Sequence, residues 1–284
     1  MTLDVMIATF GSDGIARVGL MKLPRLDGVR YLVSWQTSCQ GPVPLSLLRD
    51  DVTVLRHDDS GLSRNRNYAL AHSTADICLV ADDDLVYNES GLVAVKRAFE
   101  AVPDTDVALF RISGDGGVKW YPDTAYHIER RMRRGHYVSE VELAFRRKSV
   151  QGVIMFNELM GIGAPAIGSG EGDMFLYTAL CHGMSCRYFP VTIAYHPGVS
   201  TGHRRVDTSG AVMGQGAMIY MYHRHTWPLR CAVNAVRAWL RGRSSFWTAL
   251  SGMKNGALYA RHFFRADGSV KEMMPPQPQS LSGR

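Results

Sequence analysis

Ile77-Cys78-Leu79-Val80-Ala81-Asp82-Asp83-Asp84 is the stretch from which the fold can be read. Four apolar residues and an alanine run straight into three adjacent carboxylates. An unbroken apolar run of this length reads as a strand buried on both faces, as in parallel sheets. The carboxylates then sit at its carboxyl end, where open α/β sheets bind ligands. Carboxylates this close repel one another and stay ionised together when a cation lies between them. Two of them at i and i+2 can face one hard cation, Mg²⁺ or Mn²⁺, whose other preferred ligand is a nucleotide diphosphate. An acidic turn is the plainer alternative, because Asp suits turns. The flanking sequence has to separate the two.

Upstream, Asp4 to Phe10 reads as a first strand, ended by Gly11-Ser12-Asp13-Gly14. Ile15 to Lys22 fits a helix, and Tyr31 to Trp35 and Val52 to Leu55 are further strands. Gly61 to Ala71 opens a helix with Ser63 as its expected N-cap. Downstream, Leu92 to Ala101 is a helix closed before Pro103, and Val107 to Ile112 a strand. Strands alternating with helices imply an α/β fold with a mostly parallel central sheet flanked by helices. After Gly114 the pattern loosens. Tyr126 to Tyr137 is dense in Arg, and Glu140 to Arg146 alternates like an antiparallel edge strand. Gly161-Ile162-Gly163-Ala164-Pro165-Ala166 superficially matches a dinucleotide fingerprint. It lies far from the first strand and contains Pro, so it reads as a loop.

The chain has 284 residues and is 46% hydrophobic, enough for one large α/β domain or for a domain plus an appendage. Its five Cys include no C-x-x-C pair, which reads as free thiols in a reducing compartment. No signal peptide and no apolar run of about 18 residues is expected, which points to a cytoplasmic protein. From Arg204 to Arg265 there are ten Lys or Arg and one acid, Asp207. This stretch holds +9 of a chain whose net charge is +6, so the remainder carries −3. A mildly acidic body argues against a nucleic-acid groove and places the anionic partner at the C-terminal fifth. There, Val233, Val236 and Leu240 fall at helical spacing among Arg230, Arg237 and Arg241, with Trp227, Trp239, Phe246, Trp247, Phe263 and Phe264 nearby. Such helices suit the surface of an anionic membrane, on its inner face. Two helices packed on the main domain with solvated Arg are the alternative. The tail from Pro275 reads as disordered.

Gly61-Leu62-Ser63-Arg64-Asn65-Arg66-Asn67, an apolar strand, and then Asp82-Asp83-Asp84 together resemble the family 2 glycosyltransferases of the GT-A fold. Gly168-Ser169-Gly170-Glu171-Gly172-Asp173 is similar to the family's acidic acceptor-side motif. His196-Pro197-Gly198 is similar to a segment that carries a metal-ligating His in many members. The resemblance spans about residues 4–202. It implies a catalytic domain at 1–203, with a nucleotide-sugar half to about 113 and an acceptor half after it. A basic helical region at 204–265 and a flexible tail at 266–284 would follow. It also implies transfer of a sugar from a nucleotide-diphosphate donor, a UDP-sugar above all, to a glycan or lipid-linked acceptor in bacterial surface-polysaccharide synthesis.

The roles follow. A divalent cation, Mn²⁺ or Mg²⁺, neutralises the leaving diphosphate. Asp84 is the expected direct ligand, Asp82 takes the ribose or a metal-bound water, and Asp83 turns toward the scaffold. His196 completes the metal site. Arg66 pairs with the diphosphate or braces the Asp cluster, and His203-Arg204-Arg205 could fold over the phosphates. Thr9 and Phe10, at the end of the first strand, border the nucleotide. Where the family commonly has Asp-Asp to hold the base, this chain has Val33-Ser34-Trp35-Gln36, so Ser34 or Gln36 would bond a uracil. Asp173 or Glu171 is the general base for an inverting single displacement, with Gly172 interrupting the usual Glu-Asp pair. A sugar-phosphate nucleotidyltransferase, or a degenerate transferase acting as a membrane-associated subunit, is the rival reading. The first lacks its basic Gly-rich loop here.

Overall fold

The computed structural model describes residues 1–38, 41–115, 119–133, 135–197 and 209–271. The strands are β1 (Leu3–Phe10), β2 (Val29–Gln36), β3 (Val52–His57), β4 (Ile77–Asp82), β5 (Val86–Tyr87), β6 (Val107–Gly114), β7 (Tyr126–Ile128), β8 (Leu143–Arg146) and β9 (Cys186–His196). They form one nine-stranded sheet in the order β3-β2-β1-β4-β8-β6-β9-β5, with β7 against β9. The N-terminal half, β3-β2-β1-β4, is wholly parallel. The apolar run at Ile77–Ala81 is fully buried, as its composition requires. Register sets Ala8 beside both Ser34 and Asp82. The carboxyl ends of three strands therefore share one edge, and the aspartates stand on it.

The helices are α1 (Gly11–Leu20), α2 (Leu62–His72), α3 (Glu89–Ala101), α4 (Arg147–Val150), α5 (Glu171–Cys181), α6 (Ser209–Tyr222), α7 (Trp227–Leu240) and α8 (Phe246–Phe263). Helix α1 begins at Gly11, earlier than its apolar pattern suggests. Gly14 packs so closely on Thr9 and Asp83 that a Cβ there would overlap the Thr9 hydroxyl. Helix α2 is not capped by Ser63. Gly61 is its N-cap at φ +106°, where a residue with a Cβ would be strained. Ser63 is buried and donates instead to the Met160 carbonyl at 2.7 Å. The loop around Gly161–Gly163 supplies the missing cap, with Ile162 O accepting from Leu62 N at 2.8 Å.

Two further expectations are corrected. Glu140 to Arg146 is not an edge strand. Glu140–Glu142 is a turn of 3₁₀ helix closed by a capping box between Ser139 and Glu142. Leu143–Phe145 then runs antiparallel in mid-sheet between β4 and β6, fully buried. The apparent alternation came from the turn. Nor is 266–271 part of a flexible tail. Phe264 pairs with Val270, Tyr177 donates to Ala266 O at 2.9 Å, and Asn157 donates to Gly268 O at 2.9 Å. The tail from Pro275 lies outside the described residues.

The C-terminal helices are welded to the body. Met160, Ile167 and Met174 share a core with Ala217, Met218, Met221, Ala260 and Phe264. Helices α6 and α8 cross at glycines: a Cβ at Gly216 would overlap the Met253 carbonyl, and one at Gly256 the Met213 carbonyl. Backbones approach that closely only where no side chain intervenes. This packing swings α6 across the N-terminus of α5, where Gly214 lies against Ser169.

Candidate active site

The aspartates end their strand in three different environments. Asp83 turns toward the scaffold, accepting from Thr9 Oγ1 at 2.6 Å and from Arg17 Nη2 at 2.8 Å. Asp82 accepts from Arg66 Nη2 at 3.0 Å. Asp84 lies 3.3 Å from His196 Nε2, contributed by the end of β9. Burial, then the nearby Asp82 and Asp83, raise the Asp84 carboxyl above the usual range, while His196 opposes the rise. Among the described residues, Asp84 Oδ1 and His196 Nδ1 are buried without hydrogen-bond partners.

These observations bear on the expected cation. Among the described residues no group of three or more His, Cys, Asp and Glu is set to hold a metal ion. Asp84 and His196 are two donors side by side, one an oxygen and one a nitrogen, with a carboxyl oxygen unspent. That set fits an ion that takes one or two protein ligands and completes its shell with diphosphate oxygens and water. The carboxylate whose charged form is penalised by its neighbours is the one a cation would relieve.

Arg66 is 1% exposed and joins the two acidic motifs. Its Nη2 meets Asp82 and its Nη1 meets Glu171 Oε1 at 3.2 Å, with the guanidinium over the Phe156 ring. It is the brace of the Asp cluster; both of its Nη groups are committed to carboxylates. The helix start at Gly61 places Arg66 at the second turn of α2, facing the strand end.

Glu171 and Asp173 stand in the first turn of α5, as the apolar run after them predicts. They differ in what they face. Glu171 is 4% exposed and held by Arg66. Burial first, and the charge of Glu140 second, push its carboxyl up to about 8. Asp173 makes no ion pair among the described residues; burial, then Glu140, push it up to about 7. A carboxyl balanced near neutrality is suited to take and release a proton. Beside it, Lys119 Nζ meets Glu142 Oε1 at 2.5 Å, and Tyr121 donates to the same oxygen at 2.6 Å.

One cavity of about 980 Å³ takes in Asp82, Asp84, His196, Arg66, Glu171 and Asp173. The residues offered for the base lie elsewhere. Ser34 is fully buried, its Oγ 3.1 Å from His57 Nε2 and donating to Asn65 O at 3.1 Å. Gln36 is 3% exposed and donates to Gly61 O. The expectation that either side chain reaches out to a uracil is not met in this arrangement. Both are spent on holding β2 to α2. Thr9 is likewise committed to Asp83, whereas Phe10 is 68% exposed at the end of β1. His203-Arg204-Arg205 lies outside the described residues.

Sequence reading missed part of the wall. Gly214, Gln215, Met218 and Tyr222 of α6 line the cavity, as do Glu140 and Glu142. Ser139-x-x-Glu142 was a legible capping signal. The role of α6 depends on its crossing of α8, and no local pattern announces it.

Comparison with known proteins agrees with this architecture. A family profile described as Glycosyl transferase family 2 matches residues 43–159, the span from before β3 to the cavity loop after α4. Among solved structures the chain is similar to S. aureus TarS 1-349 in complex with UDP, at 14% identity, 93% of each chain covered and a TM-score of 0.57. The complex of that protein with UDP-GlcNAc gives 13% identity, the same coverage and a TM-score of 0.57. Against the longer S. aureus TarS chain the identity is 16% and the TM-score 0.54, and the match spans 78% of this chain but 40% of that one. Curated protein sequences gave no significant match. Identities this low speak for a shared fold.

Proposed function

We propose that the chain, whose residues 43–159 match the family 2 glycosyltransferase profile and whose fold is shared with TarS, is a glycosyltransferase that moves a sugar from a UDP-linked donor to a hydroxyl of a glycan or lipid-linked acceptor, with inversion. One observation carries the reading: a single cavity joins the carboxylates at the end of β4 to Asp173 at the start of α5, a carboxyl in no ion pair among the described residues. The first group suits a diphosphate and its cation, the second an attacking hydroxyl. The UDP and UDP-GlcNAc complexes of the similar TarS fragment favour a uridine donor.

In this mechanism Asp84 and His196 would hold Mn²⁺ or Mg²⁺, which when bound offsets the charge of the departing diphosphate. Arg66 holds both Asp82 and Glu171 by ion pairs at the cavity wall. Asp173 accepts the proton of the acceptor hydroxyl as that oxygen attacks the anomeric carbon. The bond from that carbon to the diphosphate breaks on the opposite face, so one displacement inverts the configuration. Glu171, held by Arg66, is the poorer candidate for the base.

The membrane surface belongs to the same proposal. No helix among the described residues is long and apolar enough to cross a membrane. On α7, Leu229, Val233, Val236, Trp239 and Leu240, and at the start of α8 Trp247, are exposed near Arg230, Arg237, Arg241 and Arg243 in sequence. That combination suits docking on anionic lipid, where a lipid-linked acceptor would lie.

The test is direct. The protein is incubated with UDP-GlcNAc and other UDP-sugars, Mn²⁺ and candidate acceptors; UDP release is followed, and the anomeric configuration of the product is read by NMR. Donor-dependent product of inverted configuration is expected. Retention of configuration would refute the single displacement, and failure to bind UDP with Mn²⁺ would refute the donor.

A further inference from the structure

Four Lys or Arg side chains line the cavity, and they fall into two pairs. Arg66 is spent on Asp82 and Glu171, and Lys119 on Glu142. Arg131 and Arg243 are exposed, and neither side chain has an ion-pair or hydrogen-bond partner among the described residues. They come from distant parts of the chain. Arg131 follows β7, and Arg243 sits in the turn between α7 and α8. The C-terminal helices pack on the body at α5, and both arginines line the one cavity.

Their place relative to Asp173 can be followed residue by residue. Burial first, and the charge of Asp173 second, raise the hydroxyl of Tyr222 at the end of α6. The next residue, His223, is pushed down by burial first and then by Arg230 and Arg131. Asp173, Tyr222, His223 and Arg131 all border the cavity. Tyr222 and His223 thus link Asp173 to Arg131 along the wall, and Arg243 lines the same cavity. The rest of the wall carries six carboxylates, Asp82, Asp84, Glu140, Glu142, Glu171 and Asp173. Two guanidinium groups without ion-pair partners among the described residues thus line an otherwise acidic cavity. Guanidinium is the side-chain group best matched to phosphate, through paired, charge-assisted hydrogen bonds.

We propose that Arg131 and Arg243 form a phosphate-binding subsite, so that the acceptor carries a phosphate near the hydroxyl that receives the sugar. This rests on the transfer reading above. The shared chemistry is a phosphate or pyrophosphate group, whether on a polyprenyl carrier or on a soluble phosphorylated glycan.

The experiment measures phosphate binding by calorimetry on the full chain in EDTA, with no donor present. The probes are inorganic pyrophosphate and geranylgeranyl pyrophosphate in detergent micelles. Wild-type protein should bind, with affinity falling as salt rises. Arg131→Gln/Arg243→Gln should bind at least about tenfold more weakly, the scale of losing a charge-assisted contact. Both residues are exposed, so the fold should tolerate the change. Tighter binding of the prenylated probe would support a lipid-linked source, and equal binding a soluble one. No binding by the wild type, or equal binding by the double variant, would overturn the proposal. So would a matching loss of UDP affinity with Mn²⁺ in the double variant, because the arginines would then serve the donor. Wild-type protein that ignores UDP and UDP-sugars would sink the transfer reading, while phosphate binding at these arginines is decided separately.

Discussion

Asp173→Asn should make the protein slower and more stable at once, and the two effects share one cause. Burial and the charge of Glu140 lift the Asp173 carboxyl from 3.8 to about 7. At 1.36 kcal/mol per pH unit, holding the ionised form in the fold costs about 4 kcal/mol as an upper figure. Cavity water reaches part of the side chain and screens it, so about 2 kcal/mol is the working value. The sign follows from proton counts. Between 3.8 and about 7 the folded protein keeps a proton that the unfolded chain has lost. Stability from this group is therefore full below 3.8 and is lost as pH rises through about 7. Asparagine is neutral throughout and can still accept from the Val138 amide that bonds Asp173. The variant should gain little in Tm at pH 5 and about 4 °C or more at pH 8. Its turnover should fall by about 10² to 10⁴ with UDP affinity unchanged, and the acid limb of the wild-type rate profile near pH 7 should vanish. Calorimetric scans at both pH values and initial rates across pH 5–9 measure both effects. Turnover within tenfold of wild type, or the same Tm gain at pH 5 and pH 8, would refute the assignment.

Asp84→Ala should abolish the Mn²⁺-dependent part of UDP binding in calorimetry while circular dichroism stays unchanged; metal-dependent affinity equal to wild type would remove Asp84 from the cation site. Arg66→Met leaves the buried Glu171 and the part-exposed Asp82 without their shared cation, and the loss should be about 3–5 kcal/mol in urea unfolding; a change under 1 kcal/mol would show that Arg66 is not the brace. Anionic vesicles test the surface of α7. With about 1 kcal/mol for each Lys or Arg near the lipid, three or four contacts give about 3–4 kcal/mol, so the protein should co-sediment with phosphatidylglycerol vesicles and less so at high salt. Trp239→Ser/Trp247→Ser, both more than half exposed, should weaken that binding; no binding at low salt, or none lost in the variant, would make these helices packing elements alone.

The sequence by itself determined the sheet that carries the donor side. The apolar run Ile77–Ala81 had to be buried on both faces, and three aspartates could only follow it at the strand end. Periodicity is local information, so the alternation of β1, α1, β2, β3, α2 and β4 was legible, as was α5 with Glu171 and Asp173 in its first turn. Local pattern failed where contacts are distant. Ser63 has the residue type of an N-cap, yet a loop a hundred positions away caps α2 and leaves Ser63 to bond Met160. Glu140 to Arg146 alternates because a capped turn precedes a central strand, and only pairing with β4 and β6 tells that from an edge. Ser34 and Gln36 are polar residues at the right strand end, but tertiary hydrogen bonds turn them inward. Only the tertiary structure shows that Arg66 bridges both acidic motifs, that α6 walls the cavity, and that Arg131 and Arg243 line it together. Each depends on side chains from segments far apart in sequence, and the packing that joins them, glycine against carbonyl between α6 and α8, leaves no period in the sequence to read.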